Sequence, residues 1–378
     1  MKWRRAVLAF VCTVGINSCT IGRCNGELVK VGHLKTNLAN DVAVDGKYAY
    51  IADGDEGLKI VDITNPKKPK LVGVYIPPGR AGGVAVSGNY AYLAADEDGL
   101  RIIDVSKKNA PVEVAKYSPS GAEKNNIEAY AIKLSGHYAY VAEIIDYTTG
   151  GMRIIDINNP TSPKEVSSLR LDIKNPNLES ILDFFRKGGL YDEDSLKKER
   201  QRFEKLTTSS YGLAVFGNYA YLAAECAGIR VIDVSNPAIP KEVGFCLPPE
   251  QTDGIESTVF GAYDVAVSGK YAYMTDHLAG MCVVDISNPA SPVRMGCYDS
   301  KGHPYGIAVD GNYVYVADVL VGLIVLDVSD PWKPKEVGIC KTPDEAYSVA
   351  VKGNYAYVAA QLGGIRIIDI SKVINKGK

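Results

Sequence analysis

Tryptophan and phenylalanine are scarce, at 2 and 7 in 378 residues. Large apolar rings therefore cannot fill a thick core, and 24 tyrosines must do that work instead. Excess charge of one sign is missing as well. Lys plus Arg is 42, Asp plus Glu is 44, and the net charge is -2. No basic field exists to hold nucleic acid, so that partner class is excluded. Histidine falls to four, His33, His137, His277 and His303, without metal-ligand spacing. No Gly-x-Ser-x-Gly elbow, His-Glu-x-x-His pair, phosphate-binding loop or dinucleotide fingerprint occurs, so the common nucleophile, zinc and nucleotide chemistries leave no footprint. What is plentiful is Gly, 37, and Pro, 19, which points to short strands and many turns.

The only extended apolar run is at the N-terminus. Lys2, Arg4 and Arg5 precede an apolar stretch over 6–16, too short to span a bilayer and of the right length for an export signal. Residues 1–18 read as a signal peptide and 19–26 as a tether. Ile16-Asn17-Ser18-Cys19 resembles a bacterial lipobox, which makes Cys19 the candidate lipidation site. The expected location is the cell envelope or surface, with membrane attachment only through the lipid. Plain secretion is the alternative. Removing the leader takes three positive charges away and leaves -5.

Eight cysteines are present, three of them (Cys12, Cys19, Cys24) in or beside the leader. The remaining five, Cys226, Cys246, Cys282, Cys297 and Cys340, are odd in number and lack metal spacing. They are expected to be small buried hydrophobes. A Cys282–Cys297 bridge between neighbouring strands is the open alternative.

A repeat dominates the rest. A Tyr-x-Tyr pair starts at residues 48, 90, 138, 219, 271, 313 and 355. An aspartate follows fourteen residues after the first tyrosine (eighteen in the third copy), from Asp62 to Asp369. Each unit holds four short strand-type runs; in the sixth they cover 307–310, 313–317, 323–328 and 335–339. Gly-Asn and Ser-Asp-Pro separate them as turns. Four strands in about 42 residues, seven times over, predict an all-β, seven-bladed β-propeller with four-stranded blades across 27–378. Length alone would favour two or three domains, but a propeller is one. The seventh copy lacks its fourth strand, and Glu27-Leu28-Val29-Lys30-Val31-Gly32 matches the missing piece. The N-terminal strand is therefore expected to close the ring and remove free sheet edges.

The third runs, such as Leu58-Lys59-Ile60-Val61-Asp62 and the equivalents at 100–104, 152–156, 229–233, 281–285, 323–327 and 365–369, resemble the LVIVD repeat of bacterial and archaeal surface proteins. The resemblance implies a propeller at the cell surface. It implies no common reaction and no catalytic residues.

The insertions share one face. Relative to a 42-residue period, six residues are added between blades 2 and 3, four in blade 3 near 144–151, thirty-five between blades 3 and 4, and ten between blades 4 and 5. Loops between strands 2 and 3, and from strand 4 to the next strand 1, lie at the same end of an up-and-down blade. That end is called the top here. Insertions confined to one end of a repeat array commonly mark its binding face. The longest, 172–207, carries helical spacing and is expected to be an α-helical insertion.

Six residues before the turn glycine of each first strand, five blades place tyrosine: Tyr130, Tyr211, Tyr263, Tyr305 and Tyr347. Asn40 and Gly82 occupy this position in blades 1 and 2. The five rings form a candidate collar at the channel mouth, with flat faces and hydroxyls suited to sugar, aromatic groups or peptide. Packing between blades is the competing use. Residues that break the repeat add candidates: Lys133, where other blades carry alanine, Asp264 (with Asp41) at the start of strand 1, His277 in the top loop of blade 5, and His303 in the loop entering blade 6. Lys133, Asp264 and His277 are expected to form one polar cluster. A set of acids at the end of strand 2, Asp53, Asp96, Glu143, Glu225, Asp276 and Asp318, is a candidate calcium site, against the ordinary use of such acids to bind loop amides. No other cofactor is indicated. The repeat aspartates are expected to do turn chemistry. The reading is a non-catalytic surface binding protein with a protein or carbohydrate partner. The alternative is an extracellular carbohydrate-active hydrolase or lyase on the same scaffold.

Overall fold

The computed structural model describes residues 24–119, 127–145, 149–171, 208–248, 261–277 and 279–375, with single residues between 173 and 200. Seven antiparallel sheets follow one another around a ring. Blade 1 runs from Asp41–Asp45 through Tyr48–Ala52 and Leu58–Asp62 to Lys70–Tyr75, from the innermost strand to the outermost. The other blades repeat this order, with innermost strands at Gly83–Ser87, Ile127–Ser135, Gly212–Phe216, Ala262–Ser268, Pro304–Asp310 and Ser348–Lys352. The insertion at 172–207 lies largely outside the described residues, as do the added segments at 120–126 and 249–260. The four extra residues of blade 3 lengthen its central hairpin, whose strands are Tyr138–Ile145 and Thr149–Asp156. Among the described residues no helix is long and apolar enough to cross a membrane.

The sequence period explains the packing. Strands 2 and 3 are buried along nearly their whole length, as in Tyr48–Ala52 and Leu58–Asp62. Both faces of each blade meet a neighbour, so both alternating positions are apolar. Alternate residues enter different cores: Ala49 and Ile51 pack toward blade 7, Tyr50 and Ala52 toward blade 2. The second tyrosine of every pair is buried, between 0 and 4% exposed, and fills one of the interblade cores. The first tyrosine stands opposite the repeat aspartate across strands 2 and 3, as Tyr48 does opposite Asp62.

Each repeat aspartate accepts a hydrogen bond from the amide two residues on. The bonds to Asp62, Asp104, Asp156, Asp233, Asp285, Asp327 and Asp369 measure 2.8–2.9 Å. This is an Asx turn at every blade, and the bonds hold the Asp62, Asp104, Asp233 and Asp285 carboxyls below their ordinary range. The turn then docks under the preceding blade. A side chain at Gly32 or Gly73 would run into the backbone carbonyl of Pro66 or Lys108, so glycine is required in those outer strands.

Ring closure follows the expected route: Val29–Leu34 pairs with Ile365–Asp369 as the outer strand of blade 7. One step was not legible. Cys24–Gly26, assigned above to the tether, pairs with Lys335–Cys340 as a fifth strand of blade 6. Cys24 is bonded to Cys340. Leu28, between the two segments, is buried in the core shared by blades 6 and 7. A second disulfide joins Cys282 to Cys297 across blade 5, with Cα atoms 4.1 Å apart. The expectation of unbridged, buried cysteines therefore holds only for Cys226 and Cys246. The count misled because Cys24 had been set aside with the leader, which made the domain cysteines odd.

Cys282 also replaces a cation. At the same strand position Arg101 meets Asp98 and Glu113, Arg153 meets Glu143 and Glu165, and Arg230 meets Glu242 and the Phe245 ring. Blade 5 exchanges that pairing for a covalent bond. Further out, the hydroxyls of Tyr75, Tyr117 and Tyr298 donate to Glu113, Glu165 and Glu336 of the next blade.

Candidate functional site

The innermost strands converge on the channel, and their first residues determine what rings its mouth. In blades 3, 5 and 6 the pairing register shifts at Tyr130, Tyr263 and Tyr305. Such a bulge re-aims a side chain out of the regular alternation. In blades 4 and 7, Tyr211 and Tyr347 immediately precede Gly212–Phe216 and Ser348–Lys352.

The five rings touch in sequence around the mouth. Centroids are 5.1 Å apart for Tyr130–Tyr211, 5.3 Å for Tyr211–Tyr263, 4.5 Å for Tyr263–Tyr305 and 4.8 Å for Tyr305–Tyr347. Interplanar angles are 89°, 25°, 39° and 35°, so the rings form a faceted wall. All five are half-buried. Burial pushes the Tyr263 hydroxyl well above its usual range and Tyr305 to about 12. Both stay neutral at physiological pH. The arc is open on the side of blades 1 and 2, where the Asn40 amide donates to the Ala81 carbonyl at 2.9 Å.

The expected polar cluster divides in two. Lys133 acts electrostatically on Asp264, and Asp41 adds a second negative charge. Burial, the largest influence, raises the Asp264 carboxyl to about 6. Its oxygens accept from the amides of Val265, 2.8 Å away, and Ile307, 3.1 Å away, which fastens blade 5 to blade 6. Asp41 binds Val84 of blade 2 in the same way, at 2.9 Å. His277 belongs to the aromatic wall. It lies against Tyr263 at 5.7 Å and stacks on His303 at 4.0 Å and 14°. Burial, followed by the neighbouring His303, lowers His277 to about 4, so it is neutral near pH 7.

The acidic set is not a single register. Asp53, Glu143, Asp276 and Asp318 are buried loop fasteners. Asp53 accepts from Asn37 and Leu38 and pairs with Lys59. Glu143 pairs with Arg153, Asp276 accepts from Ala279, and Asp318 accepts from His303, Leu320 and Val321. Asp96 and Glu225 sit one position later, at φ 43° and 39°. Their backbones bridge to Ala129 and Ala262, just before the next blade's collar tyrosine. Among the described residues no group of three or more His, Cys, Asp and Glu is placed to hold a metal ion. Cys19 lies outside the described residues.

Sequence reasoning named His303, in the loop entering blade 6, but passed over Glu345 as a contributor to the mouth. His303 and Glu345 each stand two residues before a collar tyrosine. Glu345 hydrogen-bonds with Tyr347 and acts electrostatically on Tyr305. The offset, repeated in Glu128 before Tyr130, was the available signal.

The LVIVD repeat family matches seven segments: 38–76, 78–118, 128–170, 209–247, 261–300, 301–342 and 344–373. No curated protein matches the chain. Among solved structures, the WD40 β-propeller domain of Doa1 superposes with a TM-score of 0.62 at 11% identity, covering 92% of this chain and 98% of that one. The β-propeller domain of Myceliophteria thermophila Cps50 (Swd1) gives 0.58 at 11%, covering 91% and 100%. The computationally designed Ika8 protein gives 0.56 at 12%, covering 92% and 100%. At these identities the likeness extends to the fold alone.

Proposed function

The chain belongs to the LVIVD repeat family, and from that premise we propose that it is an exported, lipid-anchored surface protein that binds a ligand or partner without transforming it. The unbroken contact of five tyrosine rings at the channel mouth carries this reading. Packing alone asks for buried rings, whereas these keep part of their surface in solvent at the convergence of the blades. The ligand classes that fit are a carbohydrate or a protein segment. Two disulfides suit an oxidising compartment, in agreement with the basic and apolar leader.

Two measurements test the reading. Incorporation of labelled fatty acid into the wild type, absent from Cys19→Ser, is expected for the anchored form; an unlabelled wild type would remove the anchor, and equal labelling of both would move it away from Cys19. Thermal unfolding against glycan and peptide panels is expected to show a ligand that raises Tm in the wild type. That shift should vanish in Tyr263→Ala and Tyr305→Ala. A shift that survives both substitutions would move the binding surface away from the collar.

A further inference from the structure

We propose that Lys30 and Arg366, on the outer edge of blade 7, form a binding site for the phosphate of an anionic lipid headgroup. The inference rests on the lipid-anchored reading above and adds which side of the ring meets the bilayer.

A broken pairing is the first argument. In blades 2, 3 and 4 an arginine of strand 3 reaches a glutamate of strand 4: Arg101–Glu113 at 3.2 Å, Arg153–Glu165 at 2.8 Å and Arg230–Glu242 at 3.0 Å. Blade 7 keeps the strand register of blades 2 and 4. Arg366 stands opposite His33 as Arg101 stands opposite Lys116, and Lys30 opposite Ile368 as Glu113 opposite Ile103. Lys30 therefore takes the glutamate's place, and two cations stand where the other blades hold an ion pair. Burial, followed by the Arg366 charge, lowers the Lys30 ammonium. Asp344 acts electrostatically on Arg366. Yet among the described residues neither cation makes a hydrogen bond or an ion pair, and Arg366 Nε is buried. Like charges held together in a half-buried place disfavour their charged forms, and an anion between them offsets that penalty. The guanidinium offers a fixed fork of donors that matches phosphate oxygens, and the ammonium adds a point charge.

Position is the second argument. Cys19 lies five residues before Cys24, a reach of at most about 18 Å. Cys24 sits on the edge of blade 6, and the chain runs on through Leu28 into the strand that carries Lys30. A lipid on Cys19 thus puts this rim, rather than the opposite side of the ring, against the bilayer. The surroundings are the third. The Asn65-Pro66 turn of blade 1 docks on the same strand, where a side chain at Gly32 would strike the Pro66 carbonyl. Exposed Lys67 and Lys68 follow in that turn, and exposed Lys35 follows the strand. Each cation close to an anionic leaflet adds about fivefold to membrane affinity.

Residues 24–378 contain all seven sheets and both disulfides. Leader and anchor can therefore be omitted, so that vesicle binding reports the ring alone. Co-sedimentation with phosphatidylcholine vesicles, with and without about 30% phosphatidylglycerol, tests the proposal. Binding is expected only with the anionic lipid, and should fall at least tenfold in Lys30→Glu. That variant restores the ion pair of blades 2 to 4, so its Tm should match or exceed that of the wild type. Lys241→Glu, on the outer strand of blade 4, should change binding less than twofold. Should Lys30→Glu fail to fold, Arg366→Ile supplies the comparison, since blade 6 carries Ile324 at that position. Equal binding to both vesicles would overturn the proposal, as would equal losses in Lys30→Glu and Lys241→Glu. Calorimetry with inorganic phosphate separates a free anion from a headgroup. Lys30-dependent phosphate binding without vesicle binding would overturn the lipid assignment. Fatty-acid label on Cys19 without vesicle binding would reject this site and keep the anchor. Lys30-dependent vesicle binding with no label would remove the anchor and keep the site.

Discussion

The Ser348 hydroxyl donates to Asp41 Oδ1 at 2.6 Å across 307 positions of chain. That bond joins blade 7 to blade 1 at the seam. Asp41 Oδ2 meanwhile accepts from Val84 of blade 2. One carboxylate thus ties three blades together beneath the mouth.

Asp41→Ala is accordingly expected to lower unfolding stability by about 1–3 kcal/mol, because it leaves the Val84 amide without its acceptor. Ser348→Ala removes a single partner and should cost about 1 kcal/mol. Urea midpoints for the two variants and the wild type check the order. A larger loss for Ser348→Ala would contradict this account of the seam.

Two buried groups oppose each other in pH. Asp264 titrates near 6 when folded against an ordinary 3.8, so the unfolded chain releases that proton first. Its contribution makes stability fall as pH rises from about 4 to about 6. His277 titrates near 4 when folded against an ordinary 6.5, so the unfolded chain takes up that proton first. Its contribution makes stability rise over the overlapping window. Each slope is at most about 1.4 kcal/mol per pH unit. Asp264→Asn should therefore gain stability with rising pH relative to wild type, and His277→Phe should lose it. Denaturation midpoints at pH 4, 5, 6 and 7 decide; profiles parallel to wild type would refute both assignments.

Tyr50 and Tyr315 are fully buried, and among the described residues neither hydroxyl has a hydrogen-bond partner. An unpaired buried hydroxyl costs about 1–3 kcal/mol. Tyr50→Phe and Tyr315→Phe are expected to leave Tm unchanged or raise it. Tyr315→Ala should cost about 3–5 kcal/mol by opening a cavity. A marked drop in Tm for either phenylalanine variant would show that its hydroxyl is satisfied.

The Cys24–Cys340 bond spans 316 residues of chain. Closing so long a loop restricts the unfolded ensemble, and Cys24→Ser is expected to reduce stability by about 2–4 kcal/mol. Mild reduction of the wild type should reproduce the loss. Unchanged midpoints in Cys24→Ser, with the Cys282–Cys297 bond verified by peptide mapping, would show that pairing with Lys335–Cys340 suffices.

The ring was readable because each blade repeats its chemistry. Asp327 and its six counterparts mark a turn, Tyr315 and its counterparts mark a buried face, and both recur in phase. The collar was readable for the same reason, since Tyr263 and Tyr305 occupy one repeat position. Contacts made by repeat-breaking residues were less visible. The distance from Lys133 to Asp264 or from His277 to His303 depends on how blades are arrayed around the axis, which spacing within one blade does not encode. The acids at the top were placed in one register because Asp96 and Glu225 lie a single residue beyond Asp53 and Asp318 in the repeat. That one residue moves the acid into a left-handed corner of the loop. Cys24 was missed because three residues are too few to show strand periodicity.

The crossing from blade 6 to blade 7 also has a mechanical meaning. Cys24 is held to Cys340 before the chain passes through buried Leu28 into the closing strand Val29–Leu34. A pull arriving from the N-terminal side is taken up covalently by the outer strand of blade 6. The hydrogen bonds that close the ring lie downstream of that anchorage and bear no load. Tension on that segment would tug on one blade's rim and leave the closure slack.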